Sequence, residues 1–242
     1  MCVSYPKSGR TWLRAMLAGL GVDARFTHFG DAPGAGAWGL HARHVRAPVV
    51  DEPRIVFLHR DPRDVVVSFY HHLHKRRRPS LARQVRWRVS GTRPPPELGR
   101  FVRSPRFGLE KVIAYNLATA QLAALPVAYE AMSERTADTL AEVAGHFGAH
   151  PAPQEVARVV AEHEFAVMQA RERAGVAGES WLRAKEPGDP SSYKVRRGKV
   201  GGWRDELDAA TQDWADEVLR RTEYAGRMAD LGAPTALAGR GS

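Results

Sequence analysis

Arg54-Ile55-Val56-Phe57-Leu58-His59 is a near-continuous apolar run, and Arg60-Asp61-Pro62-Arg63-Asp64-Val65 follows it without a break. A run of this kind suits a strand covered on both faces, as in a parallel sheet. Asp61-Pro62 then reads as a helix start, with Asp able to accept a backbone N–H at the N-cap and Pro at the first helical position. That helix is expected to reach about Arg77. The pattern repeats along the chain. Residues 1–5 read as a short strand, and Trp12, Leu13, Met16, Leu17 and Leu20 then share one helical face up to Gly21. Residues 24–28 and 126–129 read as further strands, the latter after a helix over 109–124. Helical patterns cover 133–147 and 153–173, and a last helix is expected over 205–231. Residues 30–53, 79–105 and 175–203 are rich in Gly, Pro or Arg and read as mainly irregular. Strands alternating with helices predict an α/β fold, a single domain with a central parallel sheet flanked by helices. The domain is expected over residues 1–232, with 233–242 a disordered C-terminal tail.

The 242 residues suffice for one large core, and a hydrophobic share of 43% with 26% charged residues is ordinary for a soluble protein. No apolar run reaches the roughly 18 residues of a membrane span, and no secretory leader is read at the N-terminus. The lone Cys2 excludes an internal disulfide and a cysteine-built metal site, so a reducing, cytoplasmic setting is expected. The net charge of +9 is either a solvated arginine excess or the footprint of a polyanionic ligand. Positions within the sequence decide between the two.

Four segments carry chemistry. In Ser4-Tyr5-Pro6-Lys7-Ser8-Gly9-Arg10-Thr11-Trp12 a strand turns into a helix. Such a turn presents backbone N–H groups at the positive end of the helix dipole, with Gly9 allowing close approach and Lys7 adding a full charge. It is not a Walker A loop, because Lys7 precedes the glycine. In the second segment, Arg60 stands at the carboxyl end of the clearest strand and Ser68 lies eight residues on in the next helix. A guanidinium and a hydroxyl converging there suit a phosphate monoester. Val195-Arg196-Arg197-Gly198-Lys199-Val200-Gly201-Gly202-Trp203 interleaves cations with glycines just before a helix. Val127-Ala128-Tyr129-Glu130-Ala131-Met132 is a short strand ending in an aromatic residue and an acid.

In order and in character these segments resemble the PAPS-dependent sulfotransferases. The first is similar to that family's Tyr-Pro-Lys-Ser-Gly-x-Thr-Trp loop, and the second to its Arg-x-Pro-x-Asp-x-x-x-Ser motif. The other two are similar to Tyr-Glu-Asp-Met and Arg-Lys-Gly-x-x-Gly-Asp-Trp. The resemblance implies a P-loop-like strand-loop-helix in which Lys7, Ser8, Gly9, Arg10 and Thr11 hold a 5′-phosphosulfate, with Trp12 near the adenine. It implies that Arg60 and Ser68 bind a 3′-phosphate with Arg196, Arg197 and Gly198, and that Tyr129 touches the adenine end. Arg10 replaces a common Thr, Arg197 a Lys, and Gly202 an Asp.

By the same resemblance the donor is 3′-phosphoadenosine 5′-phosphosulfate (PAPS), the product adenosine 3′,5′-bisphosphate (PAP), and no metal is required. Lys7 is expected to stabilise the leaving oxygen, with Ser68 beside it in the catalytic group and a histidine taking the acceptor's proton. Phe26-Thr27-His28 is similar to the family's Lys-Thr-His, without its Lys, so His28 is favoured over His44 and His41, and a reaction without a histidine base is the remaining option. His59, His71, His72 and His74 are read as structural or surface residues. Residues 30–53, 69–105 and 165–195 are expected to bind the acceptor, and the compact, early-motif chain looks bacterial. A natural-product, glycan or lipid hydroxyl is therefore preferred, with no nucleic-acid partner and the oligomeric state open. Only four residues precede Tyr5, so the natural start is expected upstream of Met1. The alternatives are a P-loop kinase or nucleotide hydrolase, which would turn over ATP with magnesium, and a non-catalytic polyanion-binding domain. The latter would bind DNA with strong salt dependence.

Overall fold

The computed structural model describes residues 1–28, 54–76, 93–174 and 198–237, together with 87 and 89. Among these residues four parallel strands form one sheet in the order β2-β1-β3-β4, where β1 is Cys2–Ser4, β2 Phe26–Thr27, β3 Val56–His59 and β4 Leu125–Ala128. Val3 lies opposite Thr27 on one side and Phe57 on the other, and Leu58 lies opposite Val127. All of β1 and β3 is buried, as their apolar runs require.

From β2 the chain crosses β1 to reach β3, so the sheet has a switch point between β1 and β3. The helices after these two strands pack on opposite faces. Helix α1 (Arg10–Gly19) buries Leu13, Met16 and Leu17 with Cys2, Val56, Leu58 and Val127. Helix α2 (Pro62–His71) buries Val65, Val66 and Phe69 with Tyr5 and Phe57. Each such large apolar side chain contributes about 1.5–3 kcal/mol on burial. Helices α3 (Leu98–Val102) and α4 (Leu109–Ala120) join the second core. Helices α5 (Tyr129–Glu134), α6 (Thr136–His146) and α7 (Pro153–Glu162) join the first. Helix α8 (Phe165–Ala174) follows, then a 3₁₀ turn Gly202–Asp205, and α9 (Ala209–Arg221) and α10 (Tyr224–Asp230) close the second core.

Most element types agree with the sequence reading, but α3 lies in a stretch read as irregular, and several boundaries differ. Residues 153–173 form two helices because the chain breaks at His163, whose ring bonds back to the Val159 carbonyl at 2.8 Å. The expected last helix breaks at Thr222-Glu223. Thr222 Oγ1 donates to the Val218 carbonyl at 2.7 Å, and Glu223 adopts φ 50°, which turns Tyr224 into the core. Helix α2 gives way at His72 to a π-turn, His72–Arg76. Tyr129 opens α5 and does not end β4. The packed chain also continues past residue 232: Ala233 is buried, its N–H donates to the Met228 carbonyl at 2.8 Å, and Leu237 packs on the core.

Candidate functional site

In a parallel sheet all carboxyl ends lie along one edge, and ligands bind beyond that edge at a switch point. The segments singled out in the sequence follow the four strand ends: Pro6–Thr11 after β1, His28 after β2, Arg60 after β3 and Tyr129 after β4.

The first loop is built around backbone that side chains resist. Lys7 has φ 77° and Gly9 has φ 99°. For lysine the left-handed region costs about 1–2 kcal/mol, strain of the kind that gathers at functional sites. A Cβ on Gly9 would stand 2.5 Å from Tyr129 Cδ2, so both conformation and contact require glycine there. Tyr5 anchors the loop, its ring packed edge-on against Phe69 at 5.7 Å and Tyr115 at 5.1 Å. Among the described residues no side chain caps α1 and no acid lies in its first turn, so the positive end of its dipole suits an anion. Ser8 is buried, and its Oγ has no hydrogen-bond partner among the described residues.

Arg60 lies with its guanidinium carbon 4.3 Å from the Tyr129 ring centroid. Its Nη2 donates to the Lys199 carbonyl at 2.9 Å and stands 3.4 Å from Asp64 Oδ2, while its buried Nε has no hydrogen-bond partner among the described residues. Asp61 caps α2 as predicted, accepting the Arg63 N–H at 2.9 Å. Its own N–H donates to Glu130 Oε1 at 2.9 Å, which ties the start of α2 to the first turn of α5. Burial pushes the Asp64 and Glu130 carboxyls above the usual carboxylate range, and Arg60 pulls both partly back. Ser68, half-buried, lies four residues beyond Asp64, so helical spacing puts Asp64 and Ser68 on one side of α2.

Tyr129 is the hub. Its ring covers Gly9, carries Arg60, and lies edge-on to Trp12 at 6.1 Å, and its hydroxyl donates to the Gly198 carbonyl at 3.1 Å. The Trp12 indole N–H donates to the His163 carbonyl at 2.8 Å. Two residues on, Phe165 lies so close to Gly198 that a Cβ there would be 2.4 Å from its ring. The structure therefore brings together Gly9, Trp12, Arg60, Tyr129 and Gly198, with Lys7 and Ser8 in the turn just before Gly9 and Arg10 and Thr11 at the start of α1. Arg196, Arg197, His41 and His44 lie outside the described residues.

His28 Nδ1 is 2.7 Å from the Ser4 carbonyl at the end of β1. A carbonyl only accepts, so in the neutral ring Nδ1 carries the hydrogen and Nε2 keeps its lone pair, the tautomer a base needs. The other histidines have different surroundings. His59 is buried, which lowers its pKa to about 4. His71 pairs with Glu206, His72 stacks on Phe69, and His74 bonds to the Tyr70 carbonyl.

Asp64, Glu130 and Phe165 were not named as site residues from the sequence. The two acids lie inside quoted segments, and an acid next to a predicted cation was a usable signal. Phe165 offered none, because its closeness to Gly198 is purely tertiary. Among the described residues no cluster of three His, Cys, Asp or Glu is arranged to hold a metal, and no helix is long and apolar enough to cross a membrane.

Comparisons with known proteins bear on the fold and the family. No curated protein matches the chain. A mouse sulfotransferase crystallised with PAP shares the fold at a TM-score of 0.60 and 17% identity, the alignment covering 93% of this chain and 83% of that one. Retinol dehydratase crystallised with androsterone and PAP aligns at 20% identity and a TM-score of 0.45, over 69% of this chain and 46% of that one. The family described as "Sulfotransferase domain" matches residues 40–232, a match that begins after the first loop and takes in Arg60, Tyr129 and Gly198. With well over half of its length inside that match, the chain belongs to the sulfotransferase family.

Proposed function

We propose that this protein transfers the sulfuryl group of PAPS to an acceptor hydroxyl and releases PAP. The meeting of the first loop, Arg60 and Gly198 on the Tyr129 ring supports this reading most directly. The residues present fit the donor: a helix N-terminus uncapped among the described residues and a Ser8 Oγ without a partner among them suit a 5′-phosphosulfate, and the Arg60 Nε, likewise without a partner there, suits a 3′-phosphate. When bound, the donor supplies sulfur attached to a bridging oxygen that gains charge as the S–O bond breaks. Lys7 and the first N–H groups of α1 stabilise that charge. Arg60 and Ser68 hold the 3′-phosphate, with Arg196, Arg197 and Gly198 completing the group. Trp12 and Phe165 flank the adenine, and Tyr129 supports its edge.

His28 takes the acceptor's proton on Nε2 as the acceptor oxygen bonds to sulfur, and its Nδ1–H is held by the Ser4 carbonyl. The acceptor is a natural-product, glycan or lipid hydroxyl. Arg60→Ala tests the nucleotide half of the reading. The wild-type protein should bind PAP far more tightly than adenosine 5′-monophosphate, and the variant should lose most of that difference. Equal losses for the two ligands in titration calorimetry would refute the role of Arg60.

A further inference from the structure

Asp64 lies four residues after Arg60, in the first turn of α2, and is only 4% exposed. Both of its oxygens are engaged by a segment far away in sequence. Oδ2 accepts the Gly201 N–H at 2.7 Å and Oδ1 accepts the Trp203 N–H at 3.0 Å. Gly201 adopts φ 73° at the start of the 3₁₀ turn, a left-handed conformation that suits glycine. The same Oδ2 is 3.4 Å from Arg60 Nη2, which itself donates to the Lys199 carbonyl. Carboxylate, guanidinium and the 198–203 strap thus form a closed ring of contacts.

The far end of the strap is held independently. Trp203 is buried, with the guanidinium carbons of Arg63 and Arg204 lying 4.1 and 4.3 Å from its ring centroid. Arg63 is held in turn by Asp61 at 2.7 Å and Asp216 at 2.5 Å. With Trp203 fixed in this way, Asp64 determines where the preceding backbone runs over Arg60.

We propose that Asp64 is a positioning residue for the 3′-phosphate site: one carboxylate orients the Arg60 guanidinium and holds the 198–203 strap over it. The inference rests on the nucleotide reading above. Asp64→Asn keeps the volume but gives up one of the two acceptors and the charge facing Arg60. PAP binding should weaken roughly ten- to a hundred-fold, the scale of lost hydrogen bonds to a charged group. Adenosine 5′-monophosphate, which lacks the 3′-phosphate, should bind within about two-fold of wild type.

A merely structural Asp64 would lower the melting temperature and weaken both ligands alike, and that result overturns the proposal. Hydrogen exchange of the wild-type protein provides a test that needs no variant. The Gly201 and Trp203 amides should be protected in the free protein, and exchange at unprotected rates would overturn the proposal too. If wild type itself shows no preference for PAP over the monophosphate, the nucleotide reading fails. If wild type shows that preference and Asp64→Asn retains it in full, the role of Asp64 alone fails.

Discussion

Gly9→Ala puts one methyl group where three parts of the candidate site meet. The new Cβ would lie 2.5 Å from Tyr129 Cδ2 and 2.9 Å from Cε2, and the backbone at φ 99° disfavours any side chain. The left-handed conformation costs about 1–2 kcal/mol for a residue with a Cβ, and overpacking a filled site about 1–3 kcal/mol. For a chain of this size each kcal/mol lowers Tm by about 2–4 °C, so a fall on the order of 10 °C is expected.

Binding should suffer separately. A displaced Tyr129 ring loosens the Arg60 stacking, worth about 0.5–2 kcal/mol, and the bond to the Gly198 carbonyl, worth about 0.5–1.5 kcal/mol. PAP affinity should therefore drop roughly ten- to a hundred-fold. Gly226→Ala is the control, because a Cβ there meets nothing within 4 Å and the residue lies inside α10. That change should stabilise by roughly 0.5–1 kcal/mol. Scanning calorimetry with and without PAP reads both effects. A Gly9→Ala protein with wild-type Tm and affinity refutes the reasoning, as does a Gly226→Ala protein damaged to the same degree.

Two further expectations concern histidines. His28→Ala should abolish transfer from labelled PAPS while leaving PAP affinity within about two-fold, and full turnover at saturating acceptor would eliminate His28 as the base. His59, buried and neutral, has its pKa lowered from 6.5 to about 4. The stability linked to it is present above pH 6.5 and lost as pH falls toward 4, at most about 3 kcal/mol. Denaturant midpoints of wild type should fall over that range faster than those of His59→Leu, and parallel curves would refute the assignment.

The sequence was most legible where local physics acts alone. The apolar run before Arg60 dictated a buried parallel strand, and Asp61-Pro62 dictated the helix start, whose cap bond is present at 2.9 Å. Both signals depend on neighbouring residues, so no partner segment was needed to read them. Boundaries were legible only in part. The break at Glu223 exists because Tyr224 must reach Asn116, whose side chain donates to its hydroxyl at 2.8 Å from 108 residues away. No local pattern marks that requirement.

The same division holds within the site. Four short segments, read by order and residue type, were enough to expect a phosphate loop, an arginine at a strand end and a basic glycine-rich strap. Only the tertiary structure decided what joins them. Tyr129, expected from the sequence only to touch the adenine end, covers Gly9, carries Arg60 and bonds to Gly198. Asp64 binds backbone N–H groups more than 130 residues away. Phe165, at the start of α8, meets Gly198 from 33 residues away. Charge, cap and turn chemistry act between neighbours and are written in the order of residues. Contacts between strand ends depend on how the sheet brings distant segments to one edge, which only the folded chain specifies.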